Sequence, residues 1–319
     1  MKILVTGVSG LGGHLAPHLM AAGHDIVGLS RDPRRVSVDV PVVQADAATG
    51  AGLDDAMQGV DVVYFLINTY EQSNSEGFAA RDRRVAHNIA DAARRCGVGR
   101  IVYLGVPSTT DSRNTSEHMT SRLEVEDILL EATPNSVGVG VFTIVSPRSR
   151  SFRVLLRTLD ANPLVPLPPW RNHHIQPIDI RDVFACLVAA GTDPDVGGRR
   201  LRIGGPETMT WEALLRLIAQ KMGKRRAFLP IPLNYPRPLR HYLAVKNGGN
   251  PALALPLMDS MATGDVVVDH NDAETLGISL HSITQTVEHA IAEYSTGSWQ
   301  RTEGVPMEPT LDQRRRGKA

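Results

Sequence analysis

The sequence predicts an α/β protein: a Rossmann-type, doubly wound parallel sheet with a smaller C-terminal lobe. Three observations carry this. The chain opens on an apolar run, a glycine-rich turn, a helical stretch and a second apolar run, all within residues 2–31. Short apolar runs then alternate with longer amphipathic stretches as far as Val145, a pattern that builds parallel strands joined by right-handed crossovers. After Ser146 the alternation gives way to proline-rich segments and shorter elements.

The opening unit comes first. Lys2 to Val5 reads as a strand, followed by Thr6-Gly7-Val8-Ser9-Gly10-Leu11-Gly12-Gly13, a helix over His14 to Ala22, and a second strand from Ile26 to Leu29. Gly7 lets the chain turn sharply off the strand, Gly10 lets a pyrophosphate approach bare backbone at a helix N-terminus, and Gly13 lets that helix pack close to the sheet. The placement of the glycines after a strand and before a helix supplies the context a dinucleotide site needs. Thr6, Gly7, Ser9, Gly10, Leu11, Gly12 and Gly13 are the expected cofactor-binding residues of this turn. The end of the second strand bears on cofactor choice, because an acid there suits a ribose 2′-hydroxyl and an arginine suits a 2′-phosphate. Here it reads Ser30-Arg31, and the planar fork of Arg31 favours NADP(H) over NAD. Asp32 would take the acidic role after a small backbone shift, and Arg34 and Arg35 read equally as a solvated turn.

Further elements follow in order. Val40 to Gln44 is a third strand, Gly52 to Met57 a short helix, and Val60 to Ile67 a strand apolar enough to be buried on both faces. A long helix over Glu76 to Cys96 ends at Gly97, a C-cap glycine. Arg100 to Leu104 is the fifth strand, Pro107 to Thr115 a polar loop, Glu117 to Ala132 a helix, and Val137 to Val145 the sixth strand. Ligands of such sheets bind across the carboxyl ends of the strands. Asp46, Asn68, Thr69 and Gly105 lie on that edge and are read as cofactor-binding, with Asn68 and Thr69 where the nicotinamide ribose passes. Tyr70 follows the fourth strand and is a substrate candidate.

Beyond Ser146, Phe152 to Leu159 is a helix, and Pro163, Pro166, Pro168, Pro169 and Trp170 make a rigid irregular segment. Ile175 to Ile178 is a short strand, Asp179 to Ala190 a helix, Leu201 to Gly204 a strand, and Thr210 caps a helix to Met222. A second proline-rich stretch covers Pro230 to Pro238, and a last helix runs from Ile283 to Tyr294. Trp170 and Gln176 are candidates for lining a substrate pocket, with packing the preferred reading for Trp170. The expected organisation is a dinucleotide-binding domain over 1–150, a smaller α/β lobe interleaved with it over 151–296, and a polar tail over 297–319.

Composition excludes several classes. Lys plus Arg equals Asp plus Glu, 34 each, which argues against nucleic acid as a partner. No apolar run reaches spanning length and the start carries no signal-peptide pattern, so a cytoplasmic protein is expected. Cys96 and Cys186 are too few and too far apart for a disulfide framework or thiolate cluster. His173 and His174 point apart if extended and have no ligand-spaced companion, so no metal is expected. Gly-x-Ser-x-Gly is absent, which removes the corresponding hydrolases.

The spacing Gly7, Gly10, Gly13, with Thr6 in front, resembles the extended and atypical short-chain dehydrogenase/reductase superfamily. Arg100-Ile101-Val102-Tyr103-Leu104-Gly105, His118 to Val125, Ile175 to Ile178 with Arg181-Asp182-Val183, and Ile203 to Pro206 resemble its NmrA-like NAD(P)-binding group, over residues 1 to about 295. The resemblance implies that Asp46 holds the adenine amino group, although it serves equally as a helix cap. It also implies a Ser or Thr after the fifth strand and a Tyr-x-x-x-Lys helix, the Tyr exchanging a proton with the substrate and the Lys holding the nicotinamide ribose. Here the strand ends Leu104-Gly105-Val106-Pro107 and the helix has no tyrosine; His118 and Arg122 stand at the same four-residue spacing, on one helix face. His118 titrates near neutrality and is the candidate proton donor or acceptor, while Arg122 lowers its pKa and binds ribose hydroxyls. The plainer alternative is a helix that begins with exposed polar residues. Three functions follow from the resemblance: an NADP(H)-dependent oxidoreductase reducing a small carbonyl-like or unsaturated substrate, a non-catalytic NADP(H)-binding sensor with a protein partner, or an NAD(P)-dependent epimerase or dehydratase.

Overall fold

The computed structural model describes residues 1–67, 77–107, 116–141, 143–232, 261–262 and 264–300. Continuous burial along β1 (Lys2–Val5) sets the architecture: Ile3 and Val5 face one apolar cluster and Leu4 the other, so both faces of the strand are covered. β2 (Asp25–Ser30), β3 (Val42–Gln44), β4 (Val62–Phe65), β5 (Arg100–Gly105) and β6 (Val137–Gly140) extend the sheet. Four short strands follow outside it, β7 (Ile144–Val145), β8 (Leu164–Leu167), β9 (His174–Ile175) and β10 (Ile178–Asp179), before β11 (Arg200–Arg202) returns to its edge. Among the described residues the order is β11-β6-β5-β4-β1-β2-β3, every pairing parallel, as the sequence predicts.

Helices cover both faces. On one side α1 (Leu11–Ala21) and α6 (Ile180–Thr192) pack Leu15, Leu19, Val183 and Leu187 against Ile3, Val5, Val62 and Val102. On the other, α2 (Leu53–Met57), α3 (Phe78–Cys96) and α4 (Glu117–Leu130) bring Met57, Ile89, Val125 and Leu129 onto Leu4, Val63, Phe65 and Ile101. A third cluster joins α5 (Arg150–Ala161), α7 (Trp211–Lys221) and α8 (Ile283–Thr296) through Phe152, Leu156, Leu214, Ile218 and Val287. Sequence-predicted caps hold: the Thr210 hydroxyl accepts the Ala213 N–H at 3.2 Å, and Gly97 ends α3 at φ 69°.

Three elements differ from the sequence reading. The sixth strand does not run to Val145. The Val141 N–H still donates to the Gly105 carbonyl at 3.1 Å, but the Thr143 carbonyl accepts from Ile178 at 2.9 Å, so the chain changes partner from β5 to β10. The stretch Ile175–Ile178 splits in the same way, β9 pairing with β12 (Met209–Thr210) and β10 with β7. The proline segment forms a strand, β8, parallel to β13 (Ala227–Pro230). Ala227 and Ile231 donate to the carbonyls of Pro163 and Leu167, so the odd-numbered residues of β8 serve this ladder and Pro166, out of phase, lacks no needed N–H.

Candidate active site

The glycine turn is shaped by contact. Gly7 sits at φ +64°, and a Cβ there would lie 2.6 Å from the Leu66 carbonyl oxygen. A Cβ on Gly12 would lie 2.6 Å from the Thr6 carbonyl oxygen and 2.8 Å from Val5 Cγ1; one on Gly13 would overlap the Val8 carbonyl oxygen. Close helix–strand packing, read from the sequence at Gly13, falls at Gly12, and Gly13 packs instead on the turn at Val8. Gly10 is different: an added Cβ would meet only the Gly7 carbonyl oxygen, at 3.7 Å. Gly10 is also the N-cap of α1, which has no side-chain cap and no acidic residue in its first turn. A helix end with room beside Gly10, no side-chain cap and an uncompensated positive dipole fits a dinucleotide pyrophosphate.

At the end of β2 the chain folds tightly. The Ser30 hydroxyl donates to the Asp32 carbonyl at 3.0 Å, and the Asp32 carboxylate accepts from the Arg34 backbone at 3.2 Å and from its Nε at 2.9 Å. The Arg34 guanidinium holds the Asp32 carboxyl below its ordinary pKa. Asp32 is thus a turn cap engaged with Arg34, which weakens it as a ribose acceptor. Arg31 is exposed at the strand end, its carbonyl accepting from the Gln44 amide at 3.1 Å.

The opposite end is built on β5 and α4. Ser116 caps α4, its hydroxyl accepting from the Met119 N–H at 3.2 Å, which places His118 and Arg122 one turn apart. Arg122 Nη2 donates to the Leu104 carbonyl at 2.9 Å, and its guanidinium lies 4.9 Å from the centre of the Tyr103 ring. Tyr103 is core, its hydroxyl donating to the Arg122 carbonyl at 3.0 Å. His118 is half-buried, its ring 6.3 Å from that of Phe78. Burial, then the charge of Arg122, lower its pKa to about 4, against a smaller opposing effect of Asp82. Asp82, buried on α3 and 3.4 Å from the Ser121 hydroxyl, is a neighbour the sequence did not single out.

Other sequence candidates serve the scaffold. Thr6 is fully buried, its hydroxyl donating to the Tyr64 carbonyl at 3.0 Å and accepting from Leu66 at 2.9 Å, so it ties β1 to the end of β4 and shapes the turn. Asp46 accepts the Ala48 N–H at 2.9 Å and caps the turn before α2. Gly105 is buried, and a Cβ there would lie 2.5 Å from Tyr103 Cε1. Trp170 packs edge-on to Trp211 in the core of the lobe, and Gln176 Oε1 accepts the Val268 N–H at 2.8 Å. Asn68, Thr69 and Tyr70 lie outside the described residues, as do Ser108 and Thr109. Among the described residues no cluster of His, Cys, Asp and Glu is arranged to hold a metal. Nor is any described helix long and apolar enough to cross a membrane.

Sequence reasoning also missed a buried network. His14, in the first turns of α1, contacts Arg148, and Arg148 pairs with Glu293 of α8 at 2.8 Å. Burial and Arg148 lower the His14 pKa to about 3. With folded values near 3 and 4 against an ordinary 6.5, His14 and His118 both resist protonation in the native state. Above about pH 6.5 neither affects stability. Below it the unfolded chain binds protons first, so stability falls as pH drops toward those folded values. Thermal unfolding followed from pH 7 to pH 4 should show a falling melting temperature, with a shallower fall in His14→Gln; an identical slope in the variant would remove His14 from this account.

Residues 7–133 match the NAD(P)H-binding family. Together with the seven-stranded parallel sheet, this match shows a Rossmann-type fold whose residues 7–133 are similar to NAD(P)H-binding proteins. It is 26% identical to a ceramide reductase of Caulobacter vibrioides over 72% of this chain and 73% of that protein. It is 28% identical to a (4-alkanoyl-5-oxo-2,5-dihydrofuran-3-yl)methyl phosphate reductase of Streptomyces griseus over 71% of this chain and 76% of that protein. Among solved structures it resembles the Bordetella bronchiseptica enzyme WbmG in complex with NAD, with a TM-score of 0.72, 17% identity and 96% of each chain covered.

Proposed function

We propose that the chain is an NADP(H)-dependent reductase of a small carbonyl-like or unsaturated substrate, with His118 and Arg122 in place of the usual Tyr and Lys. The observation that carries this reading is the pairing of an open, uncapped phosphate turn at Gly10 with His118 and Arg122 beside the carboxyl end of β5. Two relatives named as reductases support it, and their differing substrates leave the substrate of this chain to its own loops. The cofactor supplies the hydride. Arg122, fixed on the Leu104 carbonyl, keeps a positive charge beside His118 and beside the developing oxyanion. His118 orients the substrate oxygen through a ring N–H, and its imidazolium, the minor form at physiological pH, gives a proton to that oxygen as the hydride arrives and returns to the neutral ring.

Arg31 is proposed to select NADP(H). Its loss removes one charge-assisted hydrogen bond, worth ~1.5–3 kcal/mol, so Arg31→Ala should reduce the preference for NADPH over NADH roughly tenfold or more. Parallel titrations of both nucleotides check this, and unchanged discrimination would return the choice to another residue. A second reading, a non-catalytic sensor acting on a protein partner, draws on Arg122 being engaged by Leu104 and Tyr103. Equal affinity for NADP and NADPH, no turnover over a carbonyl and quinone panel, and a co-purifying protein would favour it.

A further inference from the structure

We propose that Arg148 is a positioning residue for the bound dinucleotide, setting the nicotinamide side of the site against the phosphate grip; this rests on the dinucleotide-binding reading above. Arg148 lies in the turn after β7, where the chain leaves the carboxyl edge of the sheet. That turn is itself pinned: the Arg148 N–H donates to Ser146 Oγ at 3.1 Å, and Arg153 Nη1 donates to the Pro147 carbonyl at 2.8 Å. From it the guanidinium reaches two other elements. Nη1 contacts the ring of His14, 3.0 Å from Nε2 and closer to Nδ1, and His14 directly follows Gly13 in the helix that receives the pyrophosphate. Nε and Nη2 donate to Glu293 Oε1, at 3.2 and 2.8 Å, on the lobe helix α8.

One planar cation therefore joins the phosphate helix, the turn at the sheet edge and the C-terminal lobe. The Arg148 and Glu293 side chains are only 18% and 12% exposed, so salt screens their pairing little. His14 is neutral and accepts from the guanidinium, leaving Glu293 as its paired charge. The fork geometry matters, because an ammonium cannot meet the ring and the carboxylate at fixed angles together. The bonds of Arg148 to His14 and Glu293 join α1 to the lobe helix α8, so the adenine fragment is the control against which the whole dinucleotide is compared.

The test is a set of binding titrations of NADPH, NADH, 2′,5′-ADP and ADP against wild type, Arg148→Lys, Arg148→Gln and the double variant Arg148→Gln/Glu293→Gln, each with a melting curve. Arg148→Gln and Arg148→Lys should weaken the favoured dinucleotide about tenfold while the matching adenine fragment stays within about twofold. Arg148→Gln alone should also lose thermal stability, because Glu293 stays buried with its guanidinium partner gone and only the His289 ring, at 4.0 Å, beside it; the double variant should regain stability without regaining dinucleotide affinity. Recovery of both in the double variant, or equal losses for fragment and dinucleotide, would reduce Arg148 to a structural ion pair and overturn the proposal. Absence of all nucleotide binding in wild type would overturn the cofactor reading itself, and this proposal with it.

Discussion

His118→Ala should abolish most turnover, by ~10²–10⁴-fold as for loss of a general acid, while leaving NADPH affinity near that of the parent. The separation follows from placement: His118 lies on α4 beside β5, away from the glycine turn and the end of β2 that would hold the adenosine and phosphates. The pH dependence should be directional. With the His118 pKa lowered to about 4, the imidazolium is scarce at neutrality, so carbonyl reduction should quicken as pH falls toward that value. Alcohol oxidation needs the neutral ring as base and should be nearly flat from neutrality upward. Steady-state rates in both directions, with nucleotide binding measured on the same variant, check this. Parental turnover in His118→Ala would move the proton transfer to another group.

The second large effect is expected at the glycines, and it should divide them. Gly13→Ala forces a Cβ into the Val8 carbonyl, a backbone atom that cannot swing aside, so α1 must shift. Both stability, by about 1–3 kcal/mol as for overpacking, and nucleotide affinity should fall. Gly10→Ala has room in the protein, its nearest atom being 3.7 Å away, and projects into open space where the proposed site would hold phosphate. It should melt like the parent yet bind NADPH far more weakly. Melting curves and titrations of the two variants distinguish them, and parental binding by Gly10→Ala would place the phosphates elsewhere.

These contrasts show what was legible in the sequence. The order of strands and helices and the glycine turn were readable because they depend on local periods and on glycine positions close in the chain. The strand over Val137–Val145 was read too long because its apolar pattern continues while its partner changes at 141–143, a choice made by β10 far along the chain. Pro166 hid a strand because proline is excluded only from positions that must donate, and this phase needs a pairing register to see. Thr6, Asp46, Trp170 and Gln176 carry side chains suited to ligands, yet their partners are backbone groups or core rings that no local pattern announces. The contacts of Arg148 with His14 and Glu293 span 134 and 145 residues, so they emerge only once α1, the post-β7 turn and α8 are brought together.

The central claim is that hydride passes from NADPH to a substrate bound beside His118. The most direct measurement is to supply NADPH deuterated at nicotinamide C4, on each face in turn, with a panel of small carbonyl and unsaturated compounds, and to read the products by mass spectrometry. Deuterium from one face should appear at the reduced carbon with the parent protein and be nearly absent with His118→Ala, which still binds the nucleotide. Tight NADPH binding with no deuterium leaving it across the panel would contradict the claim and leave the chain a binder of the nucleotide rather than a reductase.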